Sequence, residues 1–116
     1  INSYLNNNPD STLDSISQLS CTEAGITSLI GLNNVPNLNL LDVSNNNIID
    51  LSPVIYLGNL RVLRIANNSI RNINTLSNLS LLNFIDLSGN SSISCRQLDQ
   101  LESSLGSSLR RPLSCD

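Results

Sequence analysis

The sequence predicts an α/β solenoid: a right-handed coil with a parallel β-sheet on its concave face and short helical or 3₁₀ returns on its convex face. Three observations lead to this fold class. Apolar residues recur with a period of 22 residues, the first part of each period alternates apolar and polar residues, and the second part places an apolar residue at every third position. One such coil cannot bury its apolar residues alone, so the coils must stack on one another.

The repeat emerges when the chain is written from Ile16 in rows of 22 residues, which aligns apolar residues in four rows. The columns of the first half read Ile16, Leu38, Leu60 and Leu82, then Leu19, Leu41, Leu63 and Ile85, then Cys21, Val43, Ile65 and Leu87. We therefore expect about four repeats over residues 16–94. A partial N-terminal cap (1–15) and a C-terminal cap (95–116) complete a single domain (1–116).

Each row predicts a strand followed by a return. Leu41 and Val43 alternate with polar neighbours, which is the periodicity of a strand with one buried face. Later in the same row, Leu51 and Val54 are three residues apart, which is typical of a 3₁₀-like segment. Pro53 suits the first turn of such a segment, where its missing N–H is not needed.

An Asn column marks the bend between strand and return at Asn46, Asn68 and Asn90, whereas the first row carries Ala24. A chain reversal leaves backbone N–H and C=O groups without partners in the sheet. A buried carboxamide offers donors and an acceptor to such groups in its own coil and in the neighbouring coil. We therefore predict that these three asparagines are structural residues.

The C-terminal end of the chain predicts a helical cap. Ser94 followed by Gln97 is typical of a capping box at a helix start, and Gly106 is a natural helix end. The apolar face of this helix, which would cover the last coil, comprises Cys95, Leu98, Leu101 and Leu105. Beyond it, Arg110 and Arg111 are expected to be a solvated pair.

Three rows carry a pattern of a known family. They read Leu38-x-x-Leu41-x-Val43-x-x-Asn46-x-Ile48, Leu60-x-x-Leu63-x-Ile65-x-x-Asn68-x-Ile70 and Leu82-x-x-Ile85-x-Leu87-x-x-Asn90. These rows resemble leucine-rich repeats. Their 22-residue length, with the segment "DLSPV" after the bend, is similar to the bacterial cell-surface type typified by the internalins. The resemblance covers about 80 residues and departs from the pattern at Ala24 and at Ser92-Ile93. It implies a curved protein-binding scaffold.

Cysteine usage favours an extracellular, cell-surface or periplasmic protein. Cys95 and Cys115 enclose the C-terminal cap, whose sequence resembles the ends of secreted or periplasmic leucine-rich-repeat proteins of Gram-negative bacteria. We predict a disulfide between them, worth roughly 3 kcal/mol by loop closure. Cys21 would lie roughly 14 Å from Cys95, too far for a bond. Cys21 is either a buried apolar residue of its column or, as the caps of similar proteins suggest, the partner of an upstream cysteine.

Composition excludes most catalytic chemistry. The chain has no His and no Lys, and its net charge is −3. Without His, the usual catalytic triads and His-based metal sites are excluded. The scattered Arg residues argue against nucleic-acid binding, and no apolar stretch is long enough to span a bilayer. We expect a monomer that is not an enzyme, needs no cofactor or metal, and binds a protein partner.

The residues that the repeat leaves outside its core are the candidates for binding. On the outward side of the strands, one column reads Gln18, Leu40, Val62 and Phe84, and the next reads Ser20, Asp42, Arg64 and Asp86. We predict that the concave face binds a partner through an apolar strip and a line of alternating charge. The predicted contact residues are Leu40, Asp42, Val62, Arg64, Phe84 and Asp86. Phe84 would be the anchor and the charges would orient the partner.

Two alternatives stay open for this face. Arg64 lies between carboxylates on strands about 4.8 Å away on either side, so the charged line could neutralise itself. The apolar strip could pack against a neighbouring domain instead. In that case the domain would be a structural spacer or capped solenoid within a larger surface protein, with no ligand of its own.

Overall fold

Five short parallel strands form one sheet in the computed structural model, which describes residues 15–105 and 108–113. They are β1 (Gln18–Ser20), β2 (Leu40–Asp42), β3 (Val62–Arg64), β4 (Phe84–Asp86) and β5 (Leu109–Arg110). The strands lie side by side in chain order, and each pairs in parallel with the next. Leu19 pairs with Leu41, Leu41 with Leu63, and Leu63 with Ile85. Each coil therefore adds one strand, and the predicted α/β solenoid is confirmed.

Short 3₁₀ segments form the returns on the opposite side of each coil, at Leu32–Asn34, Ser52–Tyr56 and Asn74–Asn78. Pro53 lies in the first turn of the second segment, as predicted. Apolar residues recur at every third position of this return. Leu51, Val54 and Leu57 therefore lie on its inner side, where all three are buried. The space between the strands and the returns is thereby filled with Leu, Ile and Val side chains.

The core is one continuous cluster running along the solenoid. Leu41, Leu63 and Ile85, at the centres of their strands, have no exposed side-chain surface. Cys21 belongs to this cluster, with 4% of its surface exposed, and its thiol is free. Burial raises the pKa of the Cys21 thiol. Cys21 is therefore buried with the apolar residues of its column, and a bond to an upstream cysteine stays a prediction.

The fifth strand was not among the predicted coils. Leu109 pairs with Ile85, and its side chain is buried against the end of the core, while Arg110 pairs with Asp86. The expectation of a solvated pair holds for Arg110, which is exposed, but not for Arg111. The Arg111 side chain is only 20% exposed, because its Nη1 donates at 2.9 Å to carboxylate oxygens of the C-terminal helix. The two acceptors are Asp99 Oδ1 and Glu102 Oε2.

The helix α1 (Cys95–Leu105) covers the end of the last coil with Leu98 and Leu101. Its predicted capping box forms only in part. The Gln97 N–H donates to Ser94 Oγ at 3.3 Å, as expected. The Gln97 side chain instead reaches the preceding coil, where it accepts from the Ile73 N–H at 2.9 Å and donates to the Arg71 C=O at 3.1 Å. These two hydrogen bonds attach the cap to the preceding coil.

Several predictions for the chain ends fall on residues outside the described ranges. Gly106, Cys115 and nearly all of the N-terminal cap over residues 1–15 lie there. The Cys95–Cys115 disulfide, the helix end at Gly106 and the N-terminal cap stay predictions.

Candidate functional site

The sheet turns one face away from the core, and this concave face carries two rows of side chains. The strand register aligns them from β1 towards β5. The apolar row comprises Leu40, Val62 and Phe84, with Gln18 beside it on β1. The charged row comprises Asp42, Arg64, Asp86 and Arg110, with Ser20 beside it on β1. The six residues predicted from the sequence thus lie on one surface. Leu40, Val62 and Phe84 are each half-buried.

Arg64 lies over the ring of Phe84, with 5.1 Å between its guanidinium carbon Cζ and the ring centroid. Arg64 is paired in the sheet with Asp86, two residues after Phe84, so the two side chains are diagonal neighbours on one face. Among the described residues, Arg64 makes no ion pair with Asp42 or Asp86. The charged residues of this row are therefore not joined to one another by ion pairs within the described part of the chain.

The two carboxylates of the charged row are turned towards their own loops. Asp42 Oδ1 accepts a hydrogen bond from the Ser44 N–H at 3.1 Å. Asp86 Oδ1 accepts from the Ser88 N–H at 3.1 Å and from the Ser88 hydroxyl at 2.6 Å, and only 9% of Asp86 is exposed. These bonds brace the turn after each strand. The recurring Asp-x-Ser pattern in the sequence indicated these turns, but the two aspartates were interpreted only as charges of the binding face.

The Asn column holds the strands in position through hydrogen bonds at the bends that follow them. Asn68 Nδ2 donates to the Ile65 C=O of its own coil at 3.2 Å and to the Val43 C=O of the preceding coil at 3.0 Å. Its Oδ1 accepts from the Ile48 N–H at 3.0 Å. Asn46 and Asn90 make corresponding bonds across neighbouring coils. Each carboxamide therefore ties one coil to the one before it.

A second column at the bend was missed. The residues directly before the structural asparagines have a left-handed backbone, with φ of 61° at Asn45, 56° at Asn67 and 81° at Gly89. Asn and Gly tolerate this conformation best. Asn67 Nδ2 donates to Asn45 Oδ1 at 2.9 Å, and a Cβ atom at Gly89 would collide with Asn67 Oδ1. The Asn-Asn and Gly-Asn doublets carried this signal.

A third column starts the returns. Ser28 Oγ accepts from the Ile30 N–H at 3.1 Å, and Asp50 Oδ1 accepts from the Ser52 N–H at 2.9 Å. Asn72 Oδ1 makes the same kind of bond in the next coil. Ser, Asp and Asn are the residue types that accept such bonds at helix starts. The backbone hydrogen bond from Ser52 lowers the pKa of Asp50.

Two grooves lie away from the concave face. One, of about 230 Å³, runs between the third 3₁₀ segment and α1, with Leu76 and Leu101 in its wall. The other lies beside Ile30, Ile55 and Tyr56, which are between 51% and 71% exposed on the convex side. The described residues contain no group of three side chains able to hold a metal ion. No helix within the described ranges has the length and apolar character needed to cross a membrane.

The chain matches no protein-family model and no curated protein sequence. Solved structures of Listeria monocytogenes internalins are similar to it. Internalin C2 of strain 4b F2365 is 29% identical, with a TM-score of 0.72, over 85% of this chain and 42% of that chain. Internalin InlF of the same strain is 28% identical, with a TM-score of 0.73, over 88% of this chain and 29% of that chain.

A third internalin supports the fold alone. The functional domain of InlJ from Listeria monocytogenes is 20% identical, with a TM-score of 0.61, over 86% of this chain and 21% of that chain. This chain spans less than half the length of each of the three internalin structures. The likeness to the first two internalin structures agrees with the parallel sheet and the opposite 3₁₀ segments of this chain. The chain therefore has an internalin-like leucine-rich-repeat fold.

Proposed function

We propose that this domain is a non-enzymatic protein-binding module of a bacterial surface or secreted protein, and that it binds its partner through the concave face. The observation that carries this proposal is that Phe84 and Arg64 form a solvent-exposed aromatic and cationic surface outside the core. The Phe84 ring lies outside the core yet remains only half-buried, and the guanidinium over it has no ion pair among the described residues. Aromatic and Arg side chains are the residue types that most often carry binding energy at protein interfaces.

The apolar row supports the same interpretation. Leu40, Val62 and Phe84 are aligned on successive strands about 4.8 Å apart and keep part of their surface open to solvent. A typical protein interface buries about 800 Å² on each partner. The partner must therefore cover most of this short sheet. Asp86 would support the surface from below, since its carboxylate is buried and bonded to Ser88.

The test compares binding and stability in matched variants. Partners would be captured from candidate host cells and from neighbouring surface proteins, and their affinities would then be measured with purified protein. We expect Phe84→Ala to reduce binding by about 2 kcal/mol or more while lowering the melting temperature only slightly. Tyr56→Ala is the control, because it removes an exposed aromatic ring from the convex side. That variant should bind normally.

A core variant calibrates the stability measurement. Leu63→Ala should destabilise the domain by about 2–5 kcal/mol, since Leu63 is completely buried at the centre of β3. If Phe84→Ala melted as early as Leu63→Ala, Phe84 would be a core residue and the proposed surface would not exist. If Phe84→Ala melted normally and bound every identified partner at full strength, a structural spacer without its own ligand would be the better description.

A further inference from the structure

The two arginines of the charged row have unused hydrogen-bond donors. Within the described residues, neither Arg64 nor Arg110 forms a side-chain hydrogen bond or an ion pair, although each is paired in the sheet with Asp86. Both side chains are exposed. A guanidinium carries five N–H donors and no acceptor. Each arginine can therefore bind a group from outside the protein.

The acids of the charged row accept hydrogen bonds from their own loops, and the one between the two arginines is Asp86. Asp86 is buried, and its Oδ1 accepts two hydrogen bonds from Ser88, while Asp42 Oδ1 accepts one from Ser44. From Arg64 to Arg110, the hydrogen-bonding capacity that the row presents to solvent is thus mainly that of the arginine donors. Because the row holds two acids and two arginines, its total charge is zero. Recognition here depends on short-range, directed hydrogen bonds rather than on a long-range field.

The Phe84 ring holds the guanidinium of Arg64 in place. The ring under Arg64 restricts the guanidinium, and a guanidinium over an aromatic face keeps its edge N–H groups available. Phe84 belongs to β4, the strand between β3 and β5, so the ring lies in the interval between the two arginine strands. Two strand spacings separate those strands by roughly 10 Å.

We infer that the partner presents carboxylate side chains to this face, one to Arg64 and one to Arg110, with an apolar group between them against Phe84. Arginine binds carboxylates through paired, charge-assisted N–H···O bonds, which add geometric selectivity to the apolar contact. The segment recognised is therefore an acidic one with two carboxylates, one for each guanidinium. This inference rests on the proposed binding function of the concave face, and it specifies the chemistry of the partner.

The test uses two peptide pools as probes. One pool contains acetylated, amidated octapeptides with two Glu residues at varied spacing around a Leu or Phe, and the other has Gln in place of each Glu. The ¹⁵N-labelled domain is titrated with each pool. We expect the Glu pool to shift the side-chain Nε–Hε signals of Arg64 and Arg110, to leave those of Arg71 and Arg96 nearly unchanged, and to lose its effect in about 1 M salt.

Matched double variants distinguish a site from general charge attraction. Arg64→Gln with Arg110→Gln should weaken binding of the Glu pool about tenfold or more. Arg71→Gln with Arg96→Gln removes the same charge from exposed positions outside the charged row and should bind as the unchanged domain does. Equal losses in both double variants, or a Glu pool that leaves the Arg64 and Arg110 signals unmoved, would overturn the inference. Equal binding of both pools through β3 and β4 would also overturn it while leaving the proposed binding function intact.

Discussion

The Arg64 guanidinium lies 5.1 Å from the centroid of the Phe84 ring, whereas it makes no ion pair with the carboxylate of Asp86, its partner in the sheet. The ring is favoured because Asp86 is buried and already bonded to Ser88. A cation over an aromatic face also loses less hydration than one that must follow a carboxylate below the surface. This contact gives the concave face its aromatic and cationic character.

A double-mutant cycle measures this contact. The single variants Arg64→Gln and Phe84→Leu and the double variant should give a coupling free energy of about 0.5–1 kcal/mol in urea unfolding, the range of an exposed cation–π contact. The comparison cycle, Arg64→Gln with Asp86→Asn, should give a smaller coupling. A larger coupling in the second cycle would mean that the charge pair dominates in solution.

Removing a buried carboxamide should be costly. Asn68→Ala leaves the Ile48 N–H without its acceptor. It also removes one of the two carboxamide donors of the Val43 and Ile65 carbonyls, which keep the bonds from Asn46 and Asn90. We expect a loss of about 2 kcal/mol or more in the free energy of unfolding, since one buried N–H left unpaired costs about 1–3 kcal/mol and each further lost hydrogen bond about 0.5–1.5 kcal/mol. Asn83→Ala, at an exposed position, should change stability by less than about 0.5 kcal/mol. Similar melting temperatures for the two variants would contradict the structural role of Asn68.

Two glycines should respond in opposite ways to the same substitution. Gly89 has φ of 81°, and a Cβ atom there would collide with the Asn67 carboxamide. Gly89→Ala should therefore cost about 1–3 kcal/mol. At Gly58 an added Cβ would meet nothing within 4 Å, so Gly58→Ala should be neutral or slightly stabilising. Thermal unfolding of both variants tests the difference, and equal destabilisation would show that the left-handed turn is not required.

Asp50 should contribute a small acid-dependent stability. The hydrogen bond from the Ser52 N–H lowers its folded-state pKa, so its contribution is complete above the unfolded-state value and is lost as the pH falls through the folded-state pKa. The variant Asp50→Asn keeps an acceptor, as Asn72 does in the next coil, but cannot titrate. We expect the stability difference between the two proteins to change as the pH falls from neutral to below the ordinary aspartate value of about 3.9. A difference that is constant over this range would exclude a perturbed Asp50.

Cysteine mapping tests the C-terminal cap. Digestion of the native, unreduced protein should yield a peptide pair joined by Cys95 and Cys115. Cys21 should react with a thiol reagent only after unfolding, because its thiol is buried in the core and burial raises its pKa. A bond between Cys21 and Cys95 would be incompatible with the strand order, since these residues belong to the first coil and to the start of α1.

Local patterns in the chain were sufficient for the repeat architecture. The apolar columns predicted the strands, their register and the 3₁₀ returns because each coil must bury the same side chains against the next coil. The alternation around Leu41 and Leu63 likewise predicted which residues face outward. The residues that form the turns were also visible in the sequence as Asn-Asn, Gly-Asn and Asp-x-Ser patterns. Their structural role became clear only from the left-handed backbone and the side-chain hydrogen bonds of the folded chain.

The partners of the charged side chains depended on long-range packing. Nothing near Arg110 predicts a fifth strand, because the strand forms only when α1 returns the chain to the edge of β4. The same return brings Arg111 to Asp99 and Glu102. Arg64 lies near two acids and an aromatic ring. Because Asp86 is buried, the guanidinium packs over the Phe84 ring rather than pairing with that carboxylate. Such choices depend on burial and side-chain direction in three dimensions, since desolvation changes the strength of a charge pair far more than its spacing along the chain does.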